Sequence, residues 1–292
     1  MGADRAWEMP GAAIFFAGAV YLFGADAAIL PIRTAQSLLL VLQSALIAMI
    51  ARRVFASWRV ATIAAAITAF YPFLLYYQGL LLSETLFNTF FIAGMASLYW
   101  WRDRSSGARP RLDIALVLAC AFFAAATLTK ATLTILPPFL LACAALDRPS
   151  SWRRATSVLL IASALYGLLL SPWWIRNYGI FHTFVPFATG SGANLYLGNN
   201  PSNARAGIDW GADVEPEVVR RINGIPDELA RQREFVAAAV DYIARDPIGF
   251  VERLWLKLLR LWSIVPNAVE FNRGIYRTIS ALSFGPILAL AL

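Results

Sequence analysis

Long uncharged stretches, each near the ~20 residues of helix that cross a ~30 Å hydrocarbon core, recur along the first 175 residues of the chain. Met9–Ala25 is apolar, and Thr34–Ala51 is uncharged and closed by Arg52 and Arg53. No charge occurs from Val60 to Ser83. Glu84 interrupts, and Thr85–Trp101 is again uncharged. That whole stretch is too long for one crossing and fits two, with a turn near Gln78 and Gly79. Ile114–Thr129 and Ala131–Leu146 flank the single charge Lys130 and read as two short spans or a re-entrant pair. Ala155–Ile175 reads as a further span, and Thr278–Leu292 is apolar to the last residue.

From Arg176 the material changes: the chain becomes polar and rich in Gly and Asn, with helical patterns of its own. Pro226-Asp227-Glu228 reads as a helix start, with Phe235, Ala239, Tyr242 and Ile243 on one face. Asp246-Pro247 supplies an N-cap and a first-turn proline for a second helix. In that helix Phe250, Val251, Leu254, Trp255, Leu258 and Leu261 line one face, and Arg253, Lys257 and Arg260 the other. Such a helix is expected in the headgroup plane with its basic stripe toward lipid phosphates, or as a plain membrane-edge spacer. The pattern therefore predicts an all-α fold, a polytopic transmembrane helical bundle with a long external loop region containing amphipathic helices. Residues 1–175 hold a juxtamembrane helix and about six spans, 176–274 form the external polar region, and 275–292 open a further span.

Composition supports this division. Apolar residues make up 59% of the chain and charged residues 15%, against roughly a quarter charged in soluble domains. A formal charge of +7 suits nucleic acid in principle, but the basic residues sit in short clusters between apolar runs. Arg52, Arg53 and Arg59 form one cluster, Arg102, Arg104, Arg109 and Arg111 the next, and Arg148, Arg153 and Arg154 the last. Two crossings separate each cluster from the next, so all share one side, which the positive-inside rule makes cytoplasmic. The turns at Gln78–Glu84 and around Lys130 then face outward. The chain is expected in the inner membrane with no nucleic-acid partner. Cys120 and Cys143 lie inside apolar runs and read as small core residues rather than a disulfide or metal pair. No secretory signal peptide is evident: Met9–Ala25 follows Asp4, Arg5 and Glu8 and lacks a convincing small-residue cleavage site.

Charged side chains at membrane depth need a partner or a task. Glu84 opens a span, where the helix dipole favours a carboxylate. Its plain reading is a boundary residue, and its functional one a carboxylate facing an external cavity. Lys130 either snorkels to the outer interface or presents its ammonium to a lipid phosphate. Arg176, in SPWWIRNYG, lies outward against the charge bias, and its guanidinium suits bidentate phosphate binding. The plainer alternative is an anchor beside the aromatic belt. His182, the only histidine, reads as structural. There is no P-loop, GxGxxG with an acidic partner, HExxH or Cys/His metal spacing, so nucleotide-dependent chemistry has no visible site.

The runs MPGAAIFFAGAVYLFG, ARRVF, YPFLLYYQGLLLSETLF, SPWWIRNYGIF and GANLYLGNNP resemble bacterial membrane glycosyltransferases of the GT-C fold. These are relatives of the dolichyl-phosphate-mannose protein mannosyltransferases and the aminoarabinose transferases of lipid A. The likeness runs from about Met9 to Pro286 and rests on the order of the motifs, not on any one of them. It implies a polyprenyl-phosphate-linked sugar as donor and a protein, lipid or glycan as acceptor, with inverting transfer on the external side. Glu84 matches a glutamate at the start of that span and is the expected catalytic residue. Lys130 and Arg176 match the cations that stabilise the departing phosphate, with Asn177, Gln78 and Asn199 as weaker substrate contacts. The resemblance requires no cofactor and leaves a divalent metal open. It also implies an earlier span and an acidic loop carrying the catalytic base. Neither is found here, although Asp4 and Glu8 lie near that loop's end, so a fragment, a truncated frame or a divergent short member is expected. The alternatives are a transporter or flippase without covalent chemistry, and an inactive truncated member of the same family.

Overall fold

The computed structural model of the chain describes residues 4–104, 113–146, 152–203, 211, 213–266, 271 and 273–291. Arg109, Arg111 and Arg148 lie outside the described residues. Among those described, every regular element is a helix, as the apolar spacing predicts. Two compact units form, one from Glu8–Phe187 and the other from Met1–Trp7 with Ala188–Leu292. The predicted boundary at 175/176 falls inside a helix.

In the first unit α1 (Pro10–Phe23) precedes α2 (Ile29–Phe55), α3 (Trp58–Phe70) and α4 (Pro72–Gln78). Then come α5 (Glu84–Arg104), α6 (Ile114–Thr129), a 3-10 turn at Ala131–Leu133, α7 (Leu136–Leu146) and α8 (Trp152–Phe181). Helices α2 and α8 are long and apolar enough to cross a membrane, and α3 with α4 makes a third such element if their 49° bend counts as one broken span. That is fewer than the six or so crossings read from the sequence. At 16 and 11 residues, α6 and α7 reach only about 24 Å and 16 Å at ~1.5 Å per residue. The break at Tyr71 follows from Pro72, which disfavours helical backbone at the residue before it. Tyr71 accordingly sits at φ −66°, ψ 117°.

The core of this unit lies between α5, α6, α7 and α8, where Leu98, Trp101, Phe123, Leu141, Val158 and Leu170 are buried. Small residues let the backbones approach. A Cβ on Gly94 would stand 2.7 Å from the Phe123 ring. Cys120 is buried in this core, whereas Cys143 is exposed on α7, contrary to its expected core placement. The buried face of α7 is Pro137, Pro138, Leu141, Ala142 and Ala145, and Cys143 lies on the opposite side of the helix.

The basic ends of the helices gather. Arg53 at the end of α2 pairs with Asp103 on α5 at 2.9 Å, and Arg104 lies 3.7 Å from Asp113, the N-cap of α6. Arg154 near the start of α8 stacks 5.9 Å from Trp101. One member of each of the three sequence clusters thus contacts the segment from Trp101 to Asp113.

The second unit holds α9 (Ser191–Gly198), α10 (Pro216–Asn223), α11 (Glu228–Arg245), α12 (Pro247–Leu261) and α13 (Gly274–Ala291). Its core is Tyr196, Leu197, Val214, Ile222, Phe235 and Ala239, with Trp7 packed against it. The predicted helix start at 226–228 and the predicted cap at Asp246 both form: Asp227 accepts from the Ala230 amide and Asp246 from the Gly249 amide.

Candidate functional site

Between α4 and α5 the chain is not helical from Gly79 to Ser83, and unwound backbone among apolar helices needs partners for its polar groups. Helix α2 supplies them. Arg33 donates through Nε to the Gly79 carbonyl at 3.0 Å, and Gln36 through Nε2 to that of Leu82 at 3.4 Å. One turn and more further on, Gln43 Nε2 donates to the Thr85 carbonyl at 3.0 Å and to Thr89 Oγ1 at 2.8 Å. Arg33 lies inside α2, which begins at Ile29, five residues before the predicted span. None of these three residues stood out in the sequence; the signal was polar side chains at helical spacing in an otherwise apolar run.

That clamp fixes where α5 starts, and Glu84 is its first residue. Lys130 caps the other end of the antiparallel partner, following Thr129 of α6. Each charge therefore sits at the helix end whose dipole favours it. Lys130 Nζ donates to Glu84 Oε1 at 2.9 Å, with side chains 41% and 34% exposed. The two predicted residues are brought together as an ion pair. The carboxylate is thus occupied by the very cation expected to meet the phosphate.

Arg176 is within α8, which runs through Pro172 to Phe181 instead of ending where the chain turns polar. Its guanidinium stacks 4.7 Å from the Trp173 ring, and Nη1 donates to Asn177 Oδ1 at 2.9 Å. Asn177 is fully buried and donates Nδ2 to the Val185 carbonyl at 2.9 Å. It fastens the returning chain to the helix and is not presented to a ligand. Trp174 does the same through Nε1 to the Pro186 carbonyl at 3.0 Å. His182 makes the return possible by adopting φ 52° just past the helix, the left-handed stop that ends many helices. Gln78 is buried and donates to Leu74 O at 3.0 Å within its own turn.

An open apolar groove of about 590 Å³ runs beside α7 and α8, lined among others by Thr134, Phe139, Tyr166, Trp174 and Phe184. Its lining begins four residues after Lys130 and includes a residue two before Arg176.

Asn199 belongs to the other unit. The GANLYLGNNP run forms α9 and the knot that ends it. Asn199 Nδ2 donates to Leu195 O at 2.9 Å, and Asn200 Nδ2 to the carbonyls of Tyr196, Leu197 and Asp213. Asn203 donates to Leu197 O as well. All three asparagines are buried, and they satisfy the last carbonyls of a helix that would otherwise leave them open. Tyr196 donates to Glu215 Oε2 at 3.2 Å; burial first, then the Glu215 charge, push its phenol up to about 12. Glu228 accepts from the Arg5 amide at 2.7 Å, the Ala6 amide at 3.0 Å and the Thr189 hydroxyl. Asp4 pairs with Arg231 on the same helix. These contacts make Asp4 part of a strap that closes the unit. Glu228 carries that strap, although its sequence position marks it only as a first-turn acid.

Among the described residues no group of three or more His, Cys, Asp or Glu side chains gathers as a metal site. Among the described residues the chain is thus all-helical, with two, or with the broken pair three, helices able to cross a membrane. Compared with family models, with curated proteins and with solved structures, it matches none, so the likeness to GT-C enzymes rests on the motifs of the sequence.

Proposed function

We propose that the chain is a multi-pass protein of the cytoplasmic membrane that transfers a sugar from a polyprenyl-phosphate donor to an acceptor on the external side. The observation that carries this reading is the apolar groove beside α7 and α8, flanked along the chain by Lys130 and Arg176. An isoprenoid tail needs an apolar channel, and its phosphate needs cations with planar or point-charge geometry. The groove offers the first, and Lys130 and Arg176, close to its lining along the chain, are the cations proposed for the second. In the transfer the acceptor hydroxyl attacks the anomeric carbon and the bond to the donor phosphate breaks. The electron pair passes to the phosphate oxygen, where Arg176 and Lys130 offset the new charge. Glu84 holds Lys130 in place until the phosphate draws the ammonium away. The released carboxylate then takes the acceptor proton.

The test uses the full chain in lipid nanodiscs and a fluorescent polyprenyl phosphate. Lys130→Met and Arg176→Met are each expected to weaken binding roughly tenfold or more, the worth of a charged hydrogen bond. Affinity that is unchanged in both variants, or equal for the polyprenol without phosphate, would sink the phosphate role. Sugar transfer to an added acceptor tests the chemistry itself.

A second reading, a lipid or solute transporter without group transfer, draws support from the 49° break between α3 and α4 and the unwound Gly79–Ser83 stretch. Discontinuous helices commonly line transport sites. Uptake into vesicles with no glycosylated product decides for it.

A further inference from the structure

Helix α12 faces the opposite way from the one its sequence suggests. Taken at ~100° per residue, Gly249, Arg253, Lys257 and Arg260 share one arc, with Phe250 at its border rather than on the apolar face. The wider arc opposite holds Val251, Leu254, Trp255, Leu258, Leu261 and Trp262. In a soluble protein the apolar arc would pack inward and the basic one would meet water. Here the basic arc is the packed one. Arg253 is 6% exposed; its guanidinium rests 4.7 Å from the Tyr242 ring and reaches Asp246 Oδ2 at 3.3 Å. Its Nε and Nη2 are buried too, which leaves no open side for a headgroup phosphate. Lys257 donates Nζ to the Gly198 carbonyl at 2.9 Å, closing the end of α9. Meanwhile the six apolar residues of the wider arc are between 45% and 71% exposed.

We propose that α12 binds the surface of a lipid bilayer through this apolar face, with its cations turned into the protein and away from the lipid. The occupant is argued from three observations. The same polypeptide carries helices able to cross a membrane, so a bilayer is at hand. Trp255 and Trp262, two turns apart on the exposed arc, are the residue type enriched where hydrocarbon meets headgroups. Arg253 and Lys257 are already committed within the unit, and the one acid on the outer side, Glu252, falls at the edge of the arc and is exposed. Attachment is then hydrophobic, independent of anionic lipid and of salt. That is the reverse of a basic amphipathic helix, whose binding follows surface charge and is screened within a Debye length. The inference does not depend on glycosyl transfer.

The experiment places single nitroxide labels on the full chain in nanodiscs, in a Cys143→Ala background. Labels at Leu258 on α12 and Leu168 on α8 are compared with one at Asp241, which is exposed on α11. Collision rates with oxygen and with a water-soluble nickel chelate report the depth of each. The expected result is a Leu258 label shielded from nickel, the same in neutral and in anionic lipid and from dilute buffer to molar salt. A Leu258 label as open to nickel as that at Asp241 overturns the proposal, while the Leu168 label shows independently whether the chain is in the membrane. Loss of shielding in neutral lipid or in salt overturns it in favour of electrostatic binding. Spin–spin broadening at Leu258 overturns it in favour of a second copy covering the face. Leu254→Gln with Leu258→Gln, at unchanged helix content, should open a label at Val251 to nickel; continued shielding would count against the proposal.

Discussion

Glu84 and Lys130 are 46 residues apart in sequence and 2.9 Å apart in space, joining the start of α5 to the end of α6. Partial exposure of both side chains limits what the pair contributes, on the order of 0.2–1 kcal/mol for such pairs in water. Glu84→Gln and Lys130→Met should each lower the unfolding temperature in detergent slightly. The double variant should lose less than the sum of the two. Strict additivity would show that the pair is not coupled in solution.

Gln43 is the stronger link between α2 and α5. It is buried and donates both amide hydrogens, to Thr85 O and Thr89 Oγ1. Gln43→Leu should cost roughly 0.6–2 kcal/mol, the range for interhelical hydrogen bonds in membranes. Gln36→Leu, whose bond to Leu82 O is long at 3.4 Å, should cost less. Equilibrium unfolding in mixed micelles orders the two, and a larger loss for Gln36→Leu would contradict the geometry.

Two glycines should respond to alanine with opposite signs. A Cβ on Gly192 would stand 2.5 Å from the Gln232 carbonyl of α11, whereas one on Gly179 meets nothing within 4 Å. Gly192→Ala forces α9 and α11 apart and should destabilise by about 1–3 kcal/mol. Gly179→Ala, within α8, should stabilise by up to about 1 kcal/mol through helix propensity. Thermal unfolding of the two variants checks the signs.

Asp246 gives α12 a defined response to acid. The Gly249 amide and then the Arg253 guanidinium hold its carboxyl below the ordinary carboxylate value. A carboxylate lowered in the folded state stabilises above its unfolded pKa and loses that contribution as pH falls through the folded one. Protection of the Gly249 amide from hydrogen exchange should therefore persist through the ordinary carboxylate range and fall only below it. Asp246→Asn, a neutral cap, should show protection that is flat over the same range. Asp246→Ala should show none at any pH.

What could be read from the sequence was whatever depends on near neighbours. Asp227 and Asp246 announced their helices because a cap acts within one turn, and the apolar runs announced α2 and α8 by length. What escaped depended on which side of an element is covered. The α12 periodicity separates Arg253 from Leu254 but carries no sign for which of them is inside. Arg176 looked like the first residue beyond a span because polar residues begin there, yet α8 absorbs Pro172 and continues for five more residues. Asn177, Gln78 and Asn199 looked available to a substrate because polar side chains do. Each is instead engaged by a backbone carbonyl: Gln78 and Asn199 by the one four residues earlier, and Asn177 by Val185 of the returning chain. Arg33 and Gln36 were passed over because the carbonyls they serve lie in a break 46 residues away.

Glu228 sets an order of events. Its carboxylate collects the amides of Arg5 and Ala6, 223 and 222 residues earlier, and the hydroxyl of Thr189, 39 residues earlier. At a synthesis rate of ~5–20 residues per second, the first segment waits on the order of 10–45 s for its partner to be made. Throughout that interval Trp7 has no core to enter and the strap is open to a chaperone or a protease. The second unit therefore closes only once Glu228 has been made and meets Arg5 and Ala6, and defects in α11 will surface as cleavage near residue 5.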